Sequence, residues 1–253
     1  MSTSTVHLLV ADDLLFLVPA RRRRGQLELR YDGTSSLGHL VQSAGVPLPE
    51  VGRLRAGAVD VSPEHRPRPD EVFHVDPVSR PTPLPAGAGF VLDVHLGSLA
   101  RRMRVLGLDA RYDARLDDDD LVALAVNGQR TLLTKDRGLL RRRALRTRSA
   151  YVRGDRVDEQ LRDVLDRFAP PLDPFSRCPS CNGPLRPAGK QAVMSELEPG
   201  TARSYDEFAR CGACGHVYWS GAHAAALDRV VAAARAQLRE IWQSRSGEAD
   251  SCM

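Results

Sequence analysis

Two regimes of hydrophobic patterning divide the chain. From Val6 to Val75 short apolar runs alternate with polar residues and turn signals. Val6–Val10 predicts a strand, Arg21–Arg24 a basic turn, and Gln26–Tyr31 a second strand with apolar residues at every other position, closed by Asp32-Gly33. Thr34 to Ser36 offer helix caps, Leu37, Leu40 and Val41 give an apolar helical face, and Gly45 with Pro47 beyond it stops the helix. Short strands follow at Val51–Leu54 and Val72–Val75. Two strands, a helix and then more strands is the order of a β-grasp fold.

The second regime starts at the stretch FVLDVHLGSLARRMRVL, Phe90 to Leu106. Phe90, Val91 and Leu92 show no polar alternation, so this strand is expected to be covered on both faces, as in a parallel sheet. A helix over 96–106 follows, with Leu99, Met103 and Leu106 on one side. Further strands are predicted at Asp109–Tyr112, Thr131–Leu133 and Ala150–Val152. Helices should open at Asp117–Asp120 (apolar face Leu121, Leu124, Ala125, ending near Gly128), at Leu139-Leu140, and around Val157, Leu161, Val164 and Leu165. Repeated βα units of this length imply an α/β fold, a parallel sheet flanked by helices.

After Pro170-Pro171 the composition changes. A last helix, about Ala222 to Trp242, carries Leu227, Val230, Val231 and Leu238 on one face and can dock on the main body. The resulting division is 1–80, a Pro/Gly/Ala linker at 81–89, an α/β unit at 90–170, a Cys-bearing unit with its helix at 171–243, and a tail at 244–253 expected to be disordered, with Cys252 a free thiol.

Composition adds little to the picture. Hydrophobic residues make up 42% of the 253, enough for packed cores, and aromatics only 5%, so the cores are mostly Leu, Val and Ala. The net charge is +4, and nearly all basic residues are arginine; Lys135 and Lys190 are the lysines. A pI near 9.0 permits contact with nucleic acid without establishing it. There is no apolar run of membrane-spanning length, and the N-terminus lacks the basic start and apolar core of a signal peptide. A cytoplasmic protein without a membrane partner is expected.

The chemistry lies in acids and cysteines. Asp93 ends a buried strand, at the sheet edge where ligands bind in open α/β folds; Asp is also a good helix N-cap, and both readings stand for this residue. Asp136 follows the strand TLL at the same edge. If the strands are parallel, the two acids come from equivalent strand ends. One or two of Asp117–Asp120 could join them, although four carboxylates at a helix start also suit the helix dipole. Clustered carboxylates need a cation, and oxygen ligands suit Mg²⁺ or Mn²⁺. Arg101, Arg102 and Arg104, with Arg141 to Arg143, could contact a phosphate backbone, although a solvated helix face accounts for them more simply. Arg137, directly after Asp136, is the stronger candidate. His95 could assist proton transfer or simply pack.

Cys178 and Cys181 in RCPSCNGPL and Cys211 and Cys214 in RCGACGHVYW form two Cys-x-x-Cys knuckles separated by 29 residues. Each turn aims two thiolates at one ion, and four close a tetrahedral structural Zn²⁺ site with no open position for substrate. His216 and His223 are spare ligands. Tyr218 and Trp219 could stack on an RNA base or pack the unit against its neighbour.

Two resemblances follow from these motifs. SAGVPLPEVGRL and DEVFHVDPV resemble the ubiquitin-like domain that precedes certain bacterial nucleases. Sulfur-carrier relatives of this fold act through a free C-terminal Gly-Gly; here the chain runs on into the linker, so the unit is read as a binding or scaffolding module with a possible protein partner. DVHLGSLARRMRVLG, DDDDLVALA and LLTKDRGLL, followed by CGHVYWSGAH, resemble the PIN-fold ribonuclease family of the mutator-exonuclease C-terminal type, whose zinc ribbon follows the PIN domain. The resemblance implies RNA cleavage with Mg²⁺ or Mn²⁺ held by Asp93, by Asp119 or preferably Asp120, and by Asp136, with RNA contacts from Arg137, Arg101 and Arg104 and a structural zinc ribbon aiding RNA binding. The family's fourth acid falls at Gly138, with Asp155 a weak substitute, and Ser98 stands where relatives often carry Lys. A non-catalytic RNA-binding module and a protein-interaction adaptor are the alternatives.

Overall fold

In the computed structural model, residues 4–23, 25–84, 88–221 and 224–250 are described, with side chains to 245. His223 and Cys252 lie outside them.

The N-terminal unit is a mixed five-stranded sheet with one helix on it. Its strands are β1 (Ser4–Val10), β2 (Gln26–Tyr31), β3 (Val51–Ala56), β4 (Val59–Asp60) and β5 (Val72–Pro77), in the order β2-β1-β5-β3-β4. β1 and β5 run parallel, and the other pairs are antiparallel. In β2 the alternation puts Leu27, Leu29 and Tyr31 inward. There they meet Val6 and Leu8 of β1 and Leu37, Leu40 and Val41 of α1 (Leu37–Ser43). Ser36 caps α1 by accepting the His39 N–H at 3.3 Å. Gly45 turns the chain at φ +109°, where a Cβ would come within 2.9 Å of the Leu17 carbonyl. A 3₁₀ turn over Asp12–Leu17 links β1 towards β2.

The middle unit is a four-stranded parallel sheet with strands β6 (Phe90–Leu92), β7 (Ala110–Arg111), β8 (Thr131–Thr134) and β9 (Ser149–Tyr151), in the order β7-β6-β8-β9. Both faces are covered, which is why β6 shows no polar alternation. Phe90, Leu92 and Leu133 face α2 (Gly97–Val105) and α4 (Val157–Phe168); Val91 and Leu132 face α3 (Asp118–Asn127). The helix expected from Leu139 does not form. Two 3₁₀ turns, Leu139–Arg141 and Arg143–Leu145, replace it, because Arg142 is extended between them and its guanidinium reaches Asp119 at 2.7 Å. Leu139 and Leu140 are nonetheless both buried, Leu139 in the cluster with Leu121 and Ala125 of α3.

The C-terminal unit is a three-stranded antiparallel sheet of β10 (Leu185–Ala188), β11 (Phe208–Cys211) and β12 (Val217–Trp219), with the short helices α5 (Lys190–Val193) and α6 (Pro199–Ser204) between β10 and β11. The chain ends in α7 (Ala224–Asp250), which lays Leu227, Val230, Val231, Ala234 and Leu238 on the core of the parallel sheet. This helix takes in residues 244–250 of the tail expected to be disordered; 251–253 lie outside the described residues. No proline interrupts the segment, and the helix continues through Gly247 to Asp250. No helix among the described residues is long and apolar enough to cross a membrane.

Candidate active site and metal centre

The strand order reverses between the parallel neighbours β6 and β8: the connection from β6 goes to β7 on one side, and the chain then crosses to β8 on the other. Ligand crevices in open α/β sheets form outside the carboxyl ends of strands at such a point. Asp93 and Asp136 lie there. Leu92 pairs with Leu133, and the Asp93 N–H donates to the Leu133 carbonyl at 3.1 Å.

Thr134 joins the two acids. Its buried hydroxyl donates to Asp93 Oδ2 and accepts the Asp136 N–H at 2.8 Å. Asp93 Oδ2 also accepts the Lys135 N–H at 3.1 Å, and Oδ1 accepts the His95 N–H at 2.9 Å. Asp93 is therefore buried and acts as the N-cap of the turn Val94–Leu96, so the capping reading is realised at a residue that also faces the strand ends. Sequence reasoning missed Thr134. Its signal was a polar residue closing the apolar strand, directly before Lys-Asp. Asp136 is exposed, and its Oδ1 accepts the N–H groups of Gly138 at 2.6 Å and Leu139 at 3.4 Å. A Cβ at Gly138 would sit 3.1 Å from that oxygen, tight for the family's fourth acid at this position.

The two candidates for a third acid are engaged by local partners. Asp120 forms a reciprocal capping box with Asp117: its N–H donates to Asp117 Oδ1 at 2.9 Å, and its Oδ2 accepts the Asp117 N–H at 3.4 Å. Asp119 pairs with Arg142. Among the described residues, the four cysteines alone form a group of three or more metal-ligating side chains with ligand atoms within 4.8 Å of one another. The acids have the hard oxygen chemistry for Mg²⁺ or Mn²⁺, with Asp93 and Asp136 at one edge of the sheet and Asp119 and Asp120 engaged by Arg142 and Asp117. Asp155 is paired with Lys135 Nζ at 2.7 Å, and Ser98 and His95 are exposed.

The three candidate arginines part ways. Arg101 is exposed. Arg104 is buried and donates to the carbonyls of Ala110 at 2.8 Å, Pro179 at 3.1 Å and Ser180 at 2.7 Å. Arg137 donates to the carbonyls of Leu17 at 2.7 Å and Phe16 at 3.3 Å, in the N-terminal unit.

The cysteine centre is built from two equivalent turns. In each, the first cysteine's N–H donates to the carbonyl five residues on (Gly183 or His216), and its carbonyl accepts the N–H four residues on (Asn182 or Gly215). That fourth residue has positive φ, 70° at Asn182 and 76° at Gly215, a backbone suited to Gly or Asn. Cys178 and Cys214 sulfurs lie 3.8 Å apart, and those of Cys181 and Cys211 3.4 Å. Burial and the neighbouring thiols push Cys181 up to about 12; burial also opposes ionisation of Cys211, but N–H groups of Cys214 and Ala213 and the adjacent thiols bring it down to about 7. Tyr218 lies with its hydroxyl 3.0 Å from Cys178 Sγ, so this aromatic faces the sulfurs, while Trp219 is exposed. Four convergent thiols fit a tetrahedral ion such as zinc.

A family model described as Mut7-C RNAse domain matches residues 88–231, more than half of the chain. The chain belongs to the Mut7-C RNAse domain family. The match takes in the parallel sheet, both cysteine knuckles and the start of α7 as one Mut7-C RNAse unit. A second model, Mut7-C ubiquitin, covers residues 3–82, and so identifies the β-grasp unit as the ubiquitin-like domain. No curated protein and no solved structure gives a significant match. The four-cysteine centre lies within the matched stretch, with Asn182 of its first knuckle bonded to Ala110 of β7.

Proposed function

We propose that the chain is a Mg²⁺- or Mn²⁺-dependent endoribonuclease of PIN type, acting in the cytoplasm on RNA. The observation that carries this reading is the pair of acids joined through the Thr134 hydroxyl at the sheet's switch point. Asp93 and Asp136 would hold the ion, with Asp120 or Asp119 brought in on loading. A divalent ion in such a site supplies charge neutralisation at phosphate and activation of water. The chain's own contribution is orientation: three donors fix the Asp93 carboxylate, and the N–H groups of Gly138 and Leu139 fix Asp136. Arg101, exposed on α2, is left to contact phosphate. Cys178, Cys181, Cys211 and Cys214 would hold Zn²⁺ as a structural ion.

The test is cleavage of a mixed RNA pool, with single-stranded DNA as control, in Mg²⁺ or Mn²⁺ with and without EDTA. Metal-dependent cleavage lost in Asp93→Asn and Asp136→Asn, with zinc content retained, is the expected result; equal activity in those variants overturns it. The engagement of Asp119 and Asp120 elsewhere favours a second reading, an RNA-binding module without turnover. Tight RNA binding with no cleavage under either metal establishes that reading.

A further inference from the structure

The stretch after Asp136 is tied to the ubiquitin-like domain. Arg137, the next residue, donates to the carbonyls of Leu17 and Phe16, at the C-terminal end of the 3₁₀ turn Asp12–Leu17. Carbonyls at such an end lack partners within the turn and carry its negative pole, a favourable seat for a guanidinium. Phe16 O already accepts from Arg23 at 3.2 Å, so its position is set within the N-terminal domain. Four residues on, Arg141 donates to the Gln42 carbonyl at 3.1 Å, next to the end of α1. From the other side, Lys135 donates to the Gly154 carbonyl at 2.9 Å. The loop carrying Asp136 is thus held by its neighbours on both sides, and one of these anchors belongs to a different domain.

Other contacts already join the two domains. Arg153 donates to the Asp13 carbonyl and lies over the Phe16 ring, and Arg146 pairs with Glu64. These contacts join the domains without Arg137, whose guanidinium is engaged by carbonyls about 120 residues earlier in the chain. We propose that Arg137 is a positioning residue: the ubiquitin-like domain acts in cis, through Arg137, to fix the loop that presents Asp136. This rests on the metal-site reading above, and it gives the N-terminal domain a role in the site rather than only in recruiting partners.

The test uses the full chain with Arg137→Ala and Arg137→Lys. Mn²⁺ affinity is measured by electron paramagnetic resonance, amide exchange is followed over 135–139, and cleavage is resolved into kcat and KM. Arg137→Ala should raise exchange over 135–139, weaken Mn²⁺ binding about tenfold and lower kcat with KM for RNA unchanged, with Arg137→Lys intermediate. An RNA phosphate contact predicts the opposite split: raised KM, unchanged Mn²⁺ affinity and unchanged exchange, which overturns the proposal. If wild type binds no Mn²⁺, the metal reading fails by itself, and the exchange comparison still decides whether Arg137 fixes the loop. Should Arg137→Ala not fold, the same exchange and Mn²⁺ comparisons on Arg137→Lys decide it: unaltered values reject the proposal.

Discussion

The Glu50 carboxylate accepts the backbone N–H of Tyr151 at 2.9 Å. Tyr151 lies on β9, the last strand of the parallel sheet, whose outer edge would otherwise offer unpaired N–H groups. Glu50 is fully buried and also lies 3.7 Å from Arg167, itself 4% exposed, whose guanidinium donates to the Pro49 carbonyl. One carboxylate of the ubiquitin-like domain therefore closes a sheet edge and neutralises a buried cation of α4.

Removing one member of such a pair leaves an unpaired buried charge, which costs on the order of 3–5 kcal/mol. Glu50→Ala is expected to destabilise the chain by that amount in denaturant unfolding. Glu50→Ala combined with Arg167→Met should recover much of the loss, because no charge is left stranded. Additive losses in the double variant would show that the pairing contributes nothing beyond packing.

The opposite edge of the same sheet is closed by the cysteine unit. The Ala110 N–H of β7 donates to Asn182 Oδ1 at 3.1 Å, and Asn182 Nδ2 donates to Asp109 Oδ1 at 2.7 Å. Asn182 sits in the first knuckle, and Arg104 grips the carbonyls of Pro179 and Ser180 in the same turn. Asn182→Gly keeps the positive φ accessible and removes the side chain. It should cost about 1–3 kcal/mol for the groups left unpartnered and speed exchange of the Ala110 amide while zinc content stays unchanged. If the knuckle holds the proposed ion, a chelator should speed the same amide in the wild type, since the turn that positions Asn182 would lose it. An Ala110 amide indifferent to both treatments would separate the knuckle from the sheet edge.

These edge closures show where sequence legibility stops. The strand ends bearing Asp93 and Asp136 were readable because apolar runs followed by an acid mark a local pattern, and both cysteine turns were readable from spacing. Glu50 was not. In PLPEVG it looks like any turn residue, and its partners Tyr151 and Arg167 lie about a hundred residues on. Arg137 follows Asp136, which in sequence points to RNA, yet packing of a separate domain engages its guanidinium with the carbonyls of Leu17 and Phe16. Asp120 stands before the apolar helix face, and its sequence context gives no sign of the capping box it forms with Asp117. Local pattern fixes elements and strand ends; which charged side chains meet is a property of domain packing.

Asp109 ties β7 to both Arg130, at 2.8 Å, and Asn182. Burial works to raise its pKa, but hydrogen bonds from Arg130 and Asn182 and the charges of Arg130 and Arg177 outweigh it and hold the carboxyl below its usual range. A carboxyl depressed in the folded state adds stability above its unfolded pKa of about 3.9, and that stability is lost as pH falls through the folded value. The wild-type unfolding free energy should therefore fall as pH drops below about 4. Asp109→Asn should be less stable at neutral pH and show a shallower fall over that acid window. Parallel curves for the two proteins would remove Asp109 from the acid response.

Thr134 is the residue on which both candidate acids depend. Its hydroxyl is buried, gives its proton to Asp93 and receives the Asp136 N–H, so each acid's position is set through one oxygen. Thr134→Val keeps the shape and removes that oxygen. The Asp136 N–H then has no acceptor there, and Asp93 Oδ2 keeps only the Lys135 N–H. The stability cost should be about 1–3 kcal/mol, the penalty for unsatisfied buried polar groups. Thr134→Ser restores the oxygen but not the methyl, so it should recover cleavage more fully than it recovers stability. Thermal melts and RNA cleavage rates on the three proteins make the comparison. A Val variant that melts early but cleaves at the wild-type rate would mean the hydroxyl serves only the core; a stable Val variant that fails to cleave, rescued by Ser, would assign it to holding the two acids in register.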